Sequence, residues 1–280
     1  MLTQTAIDRV VRLALDEDAP WGDLTSETLI PASATATAEL VAREPGVFSG
    51  GRVFAAAFAA TDPTIRVDVL VADGSRFSHG DRLARVTGPA RAVLTAERVA
   101  LNLTQRMTGV ATLTDRYVAA VRGTRARIVD TRKTTPGLRA LERHAVVSGG
   151  GRNHRFSLSD AVMAKDNHLA LVGPDLTGAL RAARERLPHT TRVEVEVDRL
   201  EQIPAVLAAG VDIIMLDNFT LDDLRAGVEL IAGRAVVEAS GGVNLDTVAD
   251  IAATGVDVIS VGALTHAARG IDLGLDIALE

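Results

Sequence analysis

Three acids alternate with three valines over the six residues from Val193 to Asp198. Because side chains along a strand point to opposite faces in turn, the valines share one face and the acids share the other. An exposed antiparallel strand could carry this pattern without any function. In a parallel strand covered by helices, buried acids need cations, a metal or ligand hydroxyls as partners. The pattern therefore favours a binding site, and Asp217, which ends the next apolar run, adds another acid.

A cluster of positive charge lies between Asp130 and His168. It contains seven Lys and Arg against four Asp and Glu, a net charge of +3; since the whole chain carries -6, the remainder carries -9. Both lysines of the protein, Lys133 and Lys165, fall within it. Adjacent cations at the end of a buried strand are costly unless they meet anions, so the cluster indicates a local anion site. The alternatives are a solvated loop around Lys133 and a structural ion pair at Lys165.

A glycine run, Gly149-Gly150-Gly151, precedes His154 and Arg155. The glycines would let the backbone approach a ligand closely or move as a lid. His154 offers a hydrogen-bonding ring, and Arg155 offers a planar fork that suits a carboxylate. No Gly-Lys-Ser/Thr follows the run, which excludes a P-loop.

Further glycines close the last two apolar runs, in Ser240-Gly241-Gly242 and at Gly262. Glycine-rich loops after the final strands of a barrel, before a helix N-terminus, commonly hold phosphate. Tight turn geometry is the alternative explanation. We therefore expect these two loops to be a phosphate site.

The elements that must position these side chains alternate regularly after Gly123. Short apolar runs are each followed by a helical stretch, and strand ends recur at roughly 20–30 residues, the length of one strand plus one helix. This alternation predicts a parallel sheet with crossover helices. In the absence of a G-x-G-x-x-G motif we prefer a TIM-type barrel to an open doubly wound sheet. The six runs end at Asp130, Lys165, Asp198, Asp217, Ser240 and Gly262.

Before Gly123 the sequence predicts a mixed α+β domain. A long helical pattern runs from Thr95 to about Val121, with an interruption near Gly109. Apolar periodicity also predicts a helix over residues 3–15, a loop over 16–23, and strands over 34–41 and 65–71.

Composition narrows the class of protein. There are no cysteines, which excludes disulfides, a thiolate nucleophile and a thiolate zinc site, and suits a reducing compartment. The first residues show no secretion signal, and no apolar run is long enough to span a membrane. The negative net charge disfavours nucleic acid and anionic membranes as partners. We therefore expect a cytoplasmic enzyme with a small anionic substrate.

Together these segments resemble the quinolinate phosphoribosyltransferase family over nearly the whole chain. One departure is His144, where the family pattern has an aromatic such as Tyr. The matching segments are Glu17-Asp18, Gly22-Asp23-Leu24-Thr25, Thr95-Ala96-Glu97-Arg98, Leu101-Asn102, Thr131-Arg132-Lys133-Thr134, Gly149-Gly150-Gly151, Asn153-His154-Arg155, Lys165-Asp166-Asn167-His168, Glu194-Val195-Glu196-Val197-Asp198, Leu216-Asp217-Asn218, Ser240-Gly241-Gly242 and Val261-Gly262-Ala263-Leu264-Thr265-His266.

The resemblance implies an N-terminal α+β sandwich domain over residues 1–110, to which the C-terminal residues 268–280 return. It implies a TIM-like, incomplete α/β barrel over residues 111–267. Homodimers or higher homo-oligomers are also implied, in which the N-terminal domain of one subunit caps the barrel of another. Arg98 would then reach the active site of the neighbouring subunit.

The implied reaction transfers the phosphoribosyl group of phosphoribosyl pyrophosphate to quinolinate, with loss of carbon dioxide, to give nicotinate mononucleotide for NAD biosynthesis. The implied catalytic residues are Lys133, Lys165, Glu196 and Asp217, and Glu196 with Asp217 would bind ribose hydroxyls or Mg²⁺, which prefers oxygen ligands. The implied quinolinate ligands are Arg98, Arg132, His154, Arg155 and Lys165. The implied 5′-phosphate ligands are Ser240, Gly241, Gly242, Gly262 and His266.

Two other functions are considered. A related enzyme on the same fold would act on a different aromatic acid and would have an altered set of cations. A non-catalytic sensor of sugar phosphates on an inactive barrel would have lost some of Lys133, Glu196 and Asp217, but all three are present.

Overall fold

The computed structural model describes residues 2–277. The helices are α1 (Gln4–Asp18), α2 (Leu24–Leu29), α3 (Gly51–Thr61), α4 (Ala90–Ala120), α5 (Arg139–Ser148), α6 (Asp166–Val172), α7 (Leu176–Arg186), α8 (Ile203–Ala208), α9 (Leu221–Ile231), α10 (Val248–Ala253) and α11 (Ala263–His266). The strands are β1 (Thr35–Ala42), β2 (Gly46–Val47), β3 (Arg66–Val69), β4 (Arg76–Phe77), β5 (Arg82–Pro89), β6 (Arg127–Val129), β7 (Val162–Ala164), β8 (Val193–Val197), β9 (Ile213–Asp217), β10 (Val236–Ser240), β11 (Val258–Ser260) and β12 (Leu273–Ile277).

The chain forms two compact units that are interleaved along the sequence. Of the described residues, the first unit takes 2–115, 134–150 and 264–277, and the second takes 116–133 and 151–263. The chain therefore passes from one unit to the other four times. The prediction of an α+β domain and a parallel α/β unit is confirmed.

The first unit is built on an antiparallel sheet with the order β12-β1-β5-β3. Every second residue of β1 is buried, Leu40 among them, which is the period-2 burial expected for a sheet with one covered face. Helix α3 packs against β3 and α1. Its rings Phe54 and Phe58 are fully buried, with an edge-to-face contact of 4.9 Å between centroids.

The second unit contains a six-stranded parallel sheet with the order β6-β11-β10-β9-β8-β7. Strands β7 to β11 are neighbours in chain order, and β6, the first strand of the unit, pairs with the last. Such a cyclic order is that of an α/β barrel, in which first and last strands meet. A closed barrel would also need β6 to pair with β7. Within residues 116–133 and 151–263 these two strands are the ends of the sheet and do not pair. Arg152 makes a single parallel bridge to Val129 of β6 instead.

Helix α4 differs from the sequence prediction, because it is continuous through Gly109. A Cβ atom at Gly109 would lie 1.9 Å from the carbonyl oxygen of Arg269. The glycine is thus explained by the close approach of another segment, not by a break in the helix. Helix α1 also runs to Asp18, into the predicted loop, and α2 was not predicted from the sequence.

Within the described residues, no helix combines the length and the hydropathy that crossing a membrane requires.

Candidate active site

The carboxyl ends of the parallel strands of the second unit surround a cavity of about 470 Å³. Because all strands of a parallel sheet point the same way, residues that end different strands meet at one edge. The lining residues are Thr131, Arg132, Lys133, His154, Arg155, Met163, Lys165, Glu196, Met215, Asp217, Asn218, Glu238, Ser240, Gly241, Gly242 and Ser260. The structure thus brings together all four residues predicted to be catalytic.

Glu196 and Lys165 form an ion pair across two neighbouring strands. Lys165 follows β7, Glu196 lies in β8, and the lysine Nζ donates to Glu196 Oε2. The valine face of β8 is buried, with Val195 fully inaccessible, while Glu194 and Glu196 lie on the other face. The alternation predicted from the sequence therefore holds within the strand. The structural ion pair considered for Lys165 exists, and both of its members line the cavity.

Asp198 does not follow the expected pattern. It lies beyond the end of β8, is exposed, and pairs at 3.6 Å with its neighbour Arg199. It is not among the cavity-lining residues of the described chain. The face alternation that places Glu194 and Glu196 together ends with the strand at Val197.

The Thr131-Arg132-Lys133 loop brings two exposed cations to the cavity. The hydroxyl of Thr131 accepts a hydrogen bond of 3.1 Å from the main-chain N–H of Lys133, which fixes the turn of the loop. Arg155 reaches the same cavity, and its guanidinium donates to the carbonyl of Ala161 at 3.1 Å. The cavity therefore has four cationic side chains: Arg132, Lys133, Arg155 and Lys165.

Asp130 joins the loop after β6 to the glycine-rich loop. Its side chain is fully buried and accepts hydrogen bonds from the main-chain N–H of His154 at 2.8 Å and from Asn153 Nδ2 at 2.5 Å. A buried carboxylate is tolerated when it is hydrogen-bonded in this way. Asp130 therefore holds the His154 backbone next to the loop that carries Arg132.

His154 is held between two buried glutamates. Its Nε2 lies 3.1 Å from Glu194 Oε2 and 3.4 Å from Glu238 Oε1, while the main-chain N–H of Arg155 donates to Nδ1 at 2.7 Å. Both glutamates are 2% exposed. Each ring nitrogen of His154 thus already has a partner within the protein.

Two effects act on the charge of His154 in opposite directions. Burial by itself would lower its pKa, but the hydrogen bonds and charges of Glu194 and Glu238 outweigh burial and raise the pKa to about 10. The main-chain N–H of Arg155 favours the neutral ring instead. An imidazolium has a second proton on Nδ1, and that proton would face the Arg155 N–H. In either protonation state the proton on Nε2 lies between the carboxylates, and this orients the ring.

The side chains of His154, Glu194 and Glu238 lie close enough together to be considered as ligands of one metal ion. A histidine that binds a metal through one nitrogen usually donates the N–H of the other to a carboxylate or carbonyl. Here Nδ1 of His154 accepts from the Arg155 N–H instead. The geometry therefore favours a proton on Nε2, not a metal.

Three predicted binding residues are not among the cavity-lining residues of the described chain. Arg98 is an exposed side chain of α4, Gly262 directly precedes α11, and His266 is the exposed last residue of α11. His144, the departure from the family pattern, pairs with Asp73 at 2.7 Å in the first unit. Asp73 also accepts the main-chain N–H groups of Gly50 and Gly51 at the start of α3.

Six lining residues were not singled out for a role from the sequence. They are Thr131, Met163, Met215, Asn218, Glu238 and Ser260. Glu238 had a detectable signal, because a lone acid in the short apolar strand β10 needs a buried partner. The two methionines carry no such signal, since apolar residues are usual in parallel strands.

The fold and site define an α/β barrel enzyme with a cationic, acid-lined cavity at its strand ends. Two sequence models of the family match consecutive parts of the chain: quinolinate phosphoribosyl transferase, N-terminal domain, over residues 23–108, and its C-terminal domain over residues 110–276. The chain belongs to the quinolinate phosphoribosyltransferase family.

Individual relatives agree with this assignment. The chain is 47% identical to the nicotinate-nucleotide pyrophosphorylase [carboxylating] of Mycobacterium leprae over 95% of each chain. It is 41% identical to a probable nicotinate-nucleotide pyrophosphorylase of Bacillus subtilis, over 94% of this chain and 91% of the relative. The crystal structure of NadC from Streptococcus pyogenes superposes with a TM-score of 0.94 at 40% identity, covering 100% of this chain and 99% of that one.

Proposed function

We propose that the chain catalyses phosphoribosyl transfer from phosphoribosyl pyrophosphate to quinolinate, with release of pyrophosphate and carbon dioxide, to give nicotinate mononucleotide. The observation that carries the proposal is that four cations and the acids Glu196 and Asp217 line the same cavity. Quinolinate has two adjacent carboxylates and phosphoribosyl pyrophosphate is polyanionic, so both substrates need such cations. The family assignment supports the same reaction.

The cations act on the carboxylates and on the leaving group. Arg132 and Arg155 provide planar forks that can bind a carboxylate through two hydrogen bonds. Lys133 and Lys165 are point charges suited to the second carboxylate and to departing pyrophosphate. We propose that the hydrogen-bonded ring of His154 contributes to the wall beside quinolinate, because both of its nitrogens already have partners.

The acids act on the sugar. As pyrophosphate leaves, positive charge develops at the anomeric carbon of ribose, and carboxylates held nearby stabilise it. The pyridine nitrogen forms the new bond to that carbon. When the C2–carboxylate bond breaks, carbon dioxide leaves and the electron pair stays on C2, where the adjacent positively charged ring nitrogen stabilises it. C2 then takes a proton.

Glu196 and Asp217 also fit the Mg²⁺ that the family resemblance implies. Glu196 is the penultimate residue of β8 and Asp217 ends the neighbouring strand β9. Both line the cavity, and their carboxylate oxygens are the ligands that Mg²⁺ prefers. When bound, the ion would neutralise charge on the pyrophosphate. Ser240, Gly241 and Gly242 line the same cavity and, with Gly262 and His266, form the proposed 5′-phosphate site.

The proposal includes a homodimer or higher homo-oligomer with shared active sites, in which Arg98 serves the neighbouring subunit. Arg98 is an exposed side chain of α4, so it is accessible to a neighbouring subunit. We also propose that the enzyme acts in the cytoplasm, without a nucleic-acid or membrane partner.

A comparison of two acids tests the reaction. Purified enzyme is incubated with Mg²⁺, phosphoribosyl pyrophosphate and either quinolinate or nicotinate, which lacks the 2-carboxylate. We expect carbon dioxide and nicotinate mononucleotide from quinolinate. A cavity cation left without its carboxylate partner should penalise nicotinate by about 1.5–3 kcal/mol, roughly 10- to 150-fold in kcat/KM.

Two outcomes contradict the proposal. Equal turnover of both acids would show that the cations do not recognise the second carboxylate. No turnover of quinolinate, together with binding of another aromatic acid, would favour the related enzyme with a different substrate.

A further inference from the structure

Asn218 has an unusual backbone for a non-glycine residue. It directly follows the strand residue Asp217 and has a φ of 57°, in the left-handed region. Asn tolerates this region better than most side chains, although it remains less favourable there than glycine. Its main-chain N–H donates to the carbonyl of Ser240 at 3.0 Å, so the turn also connects β9 to the end of β10.

This backbone aims the Asn218 side chain at the neighbouring carboxylate. Nδ2 of Asn218 donates to Oδ2 of Asp217 at 2.7 Å, and both residues line the cavity. The bond holds Oδ2 in place and so restricts the rotation of a carboxylate that lines the cavity. A hydrogen bond of this kind fixes which way a ligating carboxylate points.

The same side chain contacts the glycine turn after β10. A Cβ atom on Gly241 would lie 2.2 Å from Asn218 Oδ1 and 2.8 Å from its main-chain nitrogen. Gly241 also has a φ of 89°, so glycine is required there for two reasons. Asn218 therefore lies between the acid that ends β9 and the turn that ends β10.

We propose that Asn218 is a positioning residue that sets Asp217 and the Ser240-Gly241-Gly242 turn in register for one ligand, phosphoribosyl pyrophosphate, and not for quinolinate. This inference deepens the proposed function and rests on it. Asp217 would contact the ribose or its metal, and the turn would contact the 5′-phosphate of the same molecule. A residue that positions both Asp217 and this turn would affect the binding of phosphoribosyl pyrophosphate and not that of quinolinate.

The test compares Asn218→Gly with wild type. Glycine keeps the left-handed backbone and removes only the amide side chain. We expect binding of phosphoribosyl pyrophosphate with Mg²⁺, measured by calorimetry, to weaken about 10- to 100-fold, the range found for partners of ligating groups. The KM for quinolinate should stay within about twofold of wild type, and the melting temperature should not fall.

Ala232→Gly is the matched control, since Ala232 also has a positive φ, 50°, but caps α9 and does not line the cavity. It removes similar backbone strain and should bind both substrates as wild type does. Asn218→Asp is the second variant, because Asp tolerates this backbone but brings a carboxylate against Asp217. It should weaken phosphoribosyl pyrophosphate binding at least as much.

The inference is overturned if folded Asn218→Gly or Asn218→Asp binds phosphoribosyl pyrophosphate normally. It is also overturned if both substrates weaken equally, since that would show a general structural role. If wild type binds phosphoribosyl pyrophosphate but does not react with quinolinate, the proposed function fails, whereas the binding comparison still decides the role of Asn218.

Discussion

Nε2 of His154 lies 3.1 Å from a carboxylate oxygen of Glu194, although the two residues are on different elements of the second unit. Glu194 is on the same face of β8 as Glu196, so one strand supplies both a support for the histidine and a partner for Lys165. The acidic face of β8 therefore serves two cationic or proton-bearing groups at once. Mutations can show whether the His154–Glu194 contact and the Lys165–Glu196 contact each serve stability or catalysis.

His154→Gln should change how stability depends on pH. The glutamates raise the pKa of His154 from 6.5 to about 10, so the stabilisation from the charged pair is present near pH 6.5 and is lost as the pH rises through about 10. It is also lost at low pH when Glu194, whose pKa is raised by burial, takes up a proton. Melting curves of wild type and His154→Gln should differ most near pH 6 and converge above about pH 10. His189→Gln, at an exposed position, is the control. A difference that stays constant with pH would show that the Arg155 N–H keeps the ring neutral throughout.

Glu196→Gln should fold normally and react slowly. The substitution preserves shape and removes the charge beside the developing cation, a contribution of about 2–4 kcal/mol, or roughly 10²–10³ in kcat. Val195→Glu should do the opposite, because it places an unpaired acid on the fully buried face of β8 and reduces stability first. Thermal melts and steady-state rates of both variants are the measurements. Unfolding of Glu196→Gln, or a stable but slow Val195→Glu, would remove the proposed role of Glu196.

Arg98→Ala and Arg132→Ala subunits should complement each other. Each variant alone should be nearly inactive, because one lacks the proposed cation donated to the neighbour and the other lacks a cation of its own cavity. Mixed oligomers should recover activity in the fraction of sites that combines an intact cavity with an intact Arg98. The assay is activity after refolding mixtures in which hetero-oligomers are verified by mass. No recovery in verified hetero-oligomers would place Arg98 in its own subunit or in a structural role.

The sequence predicted the parallel strands well because their signal is local. Alternating apolar and acidic residues in β8, and a polar residue at each strand end, reflect the two faces and one edge of a single sheet. For the same reason Lys133, Lys165, Glu196 and Asp217, which line one cavity, could be predicted from the sequence to lie at the same edge of the sheet.

The failures came from contacts between distant segments. Gly109 suggested a helix break because glycine weakens a helix, yet it is needed for the carbonyl of Arg269, which is 160 residues away along the chain. Glu238 of β10 meets His154 although the two lie 84 residues apart in the chain, and no local pattern encodes such a contact. The feature that distinguishes Asn218 is its left-handed backbone, and that conformation could not be predicted from the sequence.

The interleaving of the two units has a consequence for synthesis on the ribosome. Strand β1 is made early, but its antiparallel partner β12 occupies residues Leu273–Ile277. The first unit therefore cannot complete its sheet until the whole barrel-forming segment has been translated, so one edge of β1 stays unpaired until the last strand emerges. Gene truncations or domain exchanges that remove the final segment would leave this edge open, and the family's two named domains are thus not separable modules in this chain.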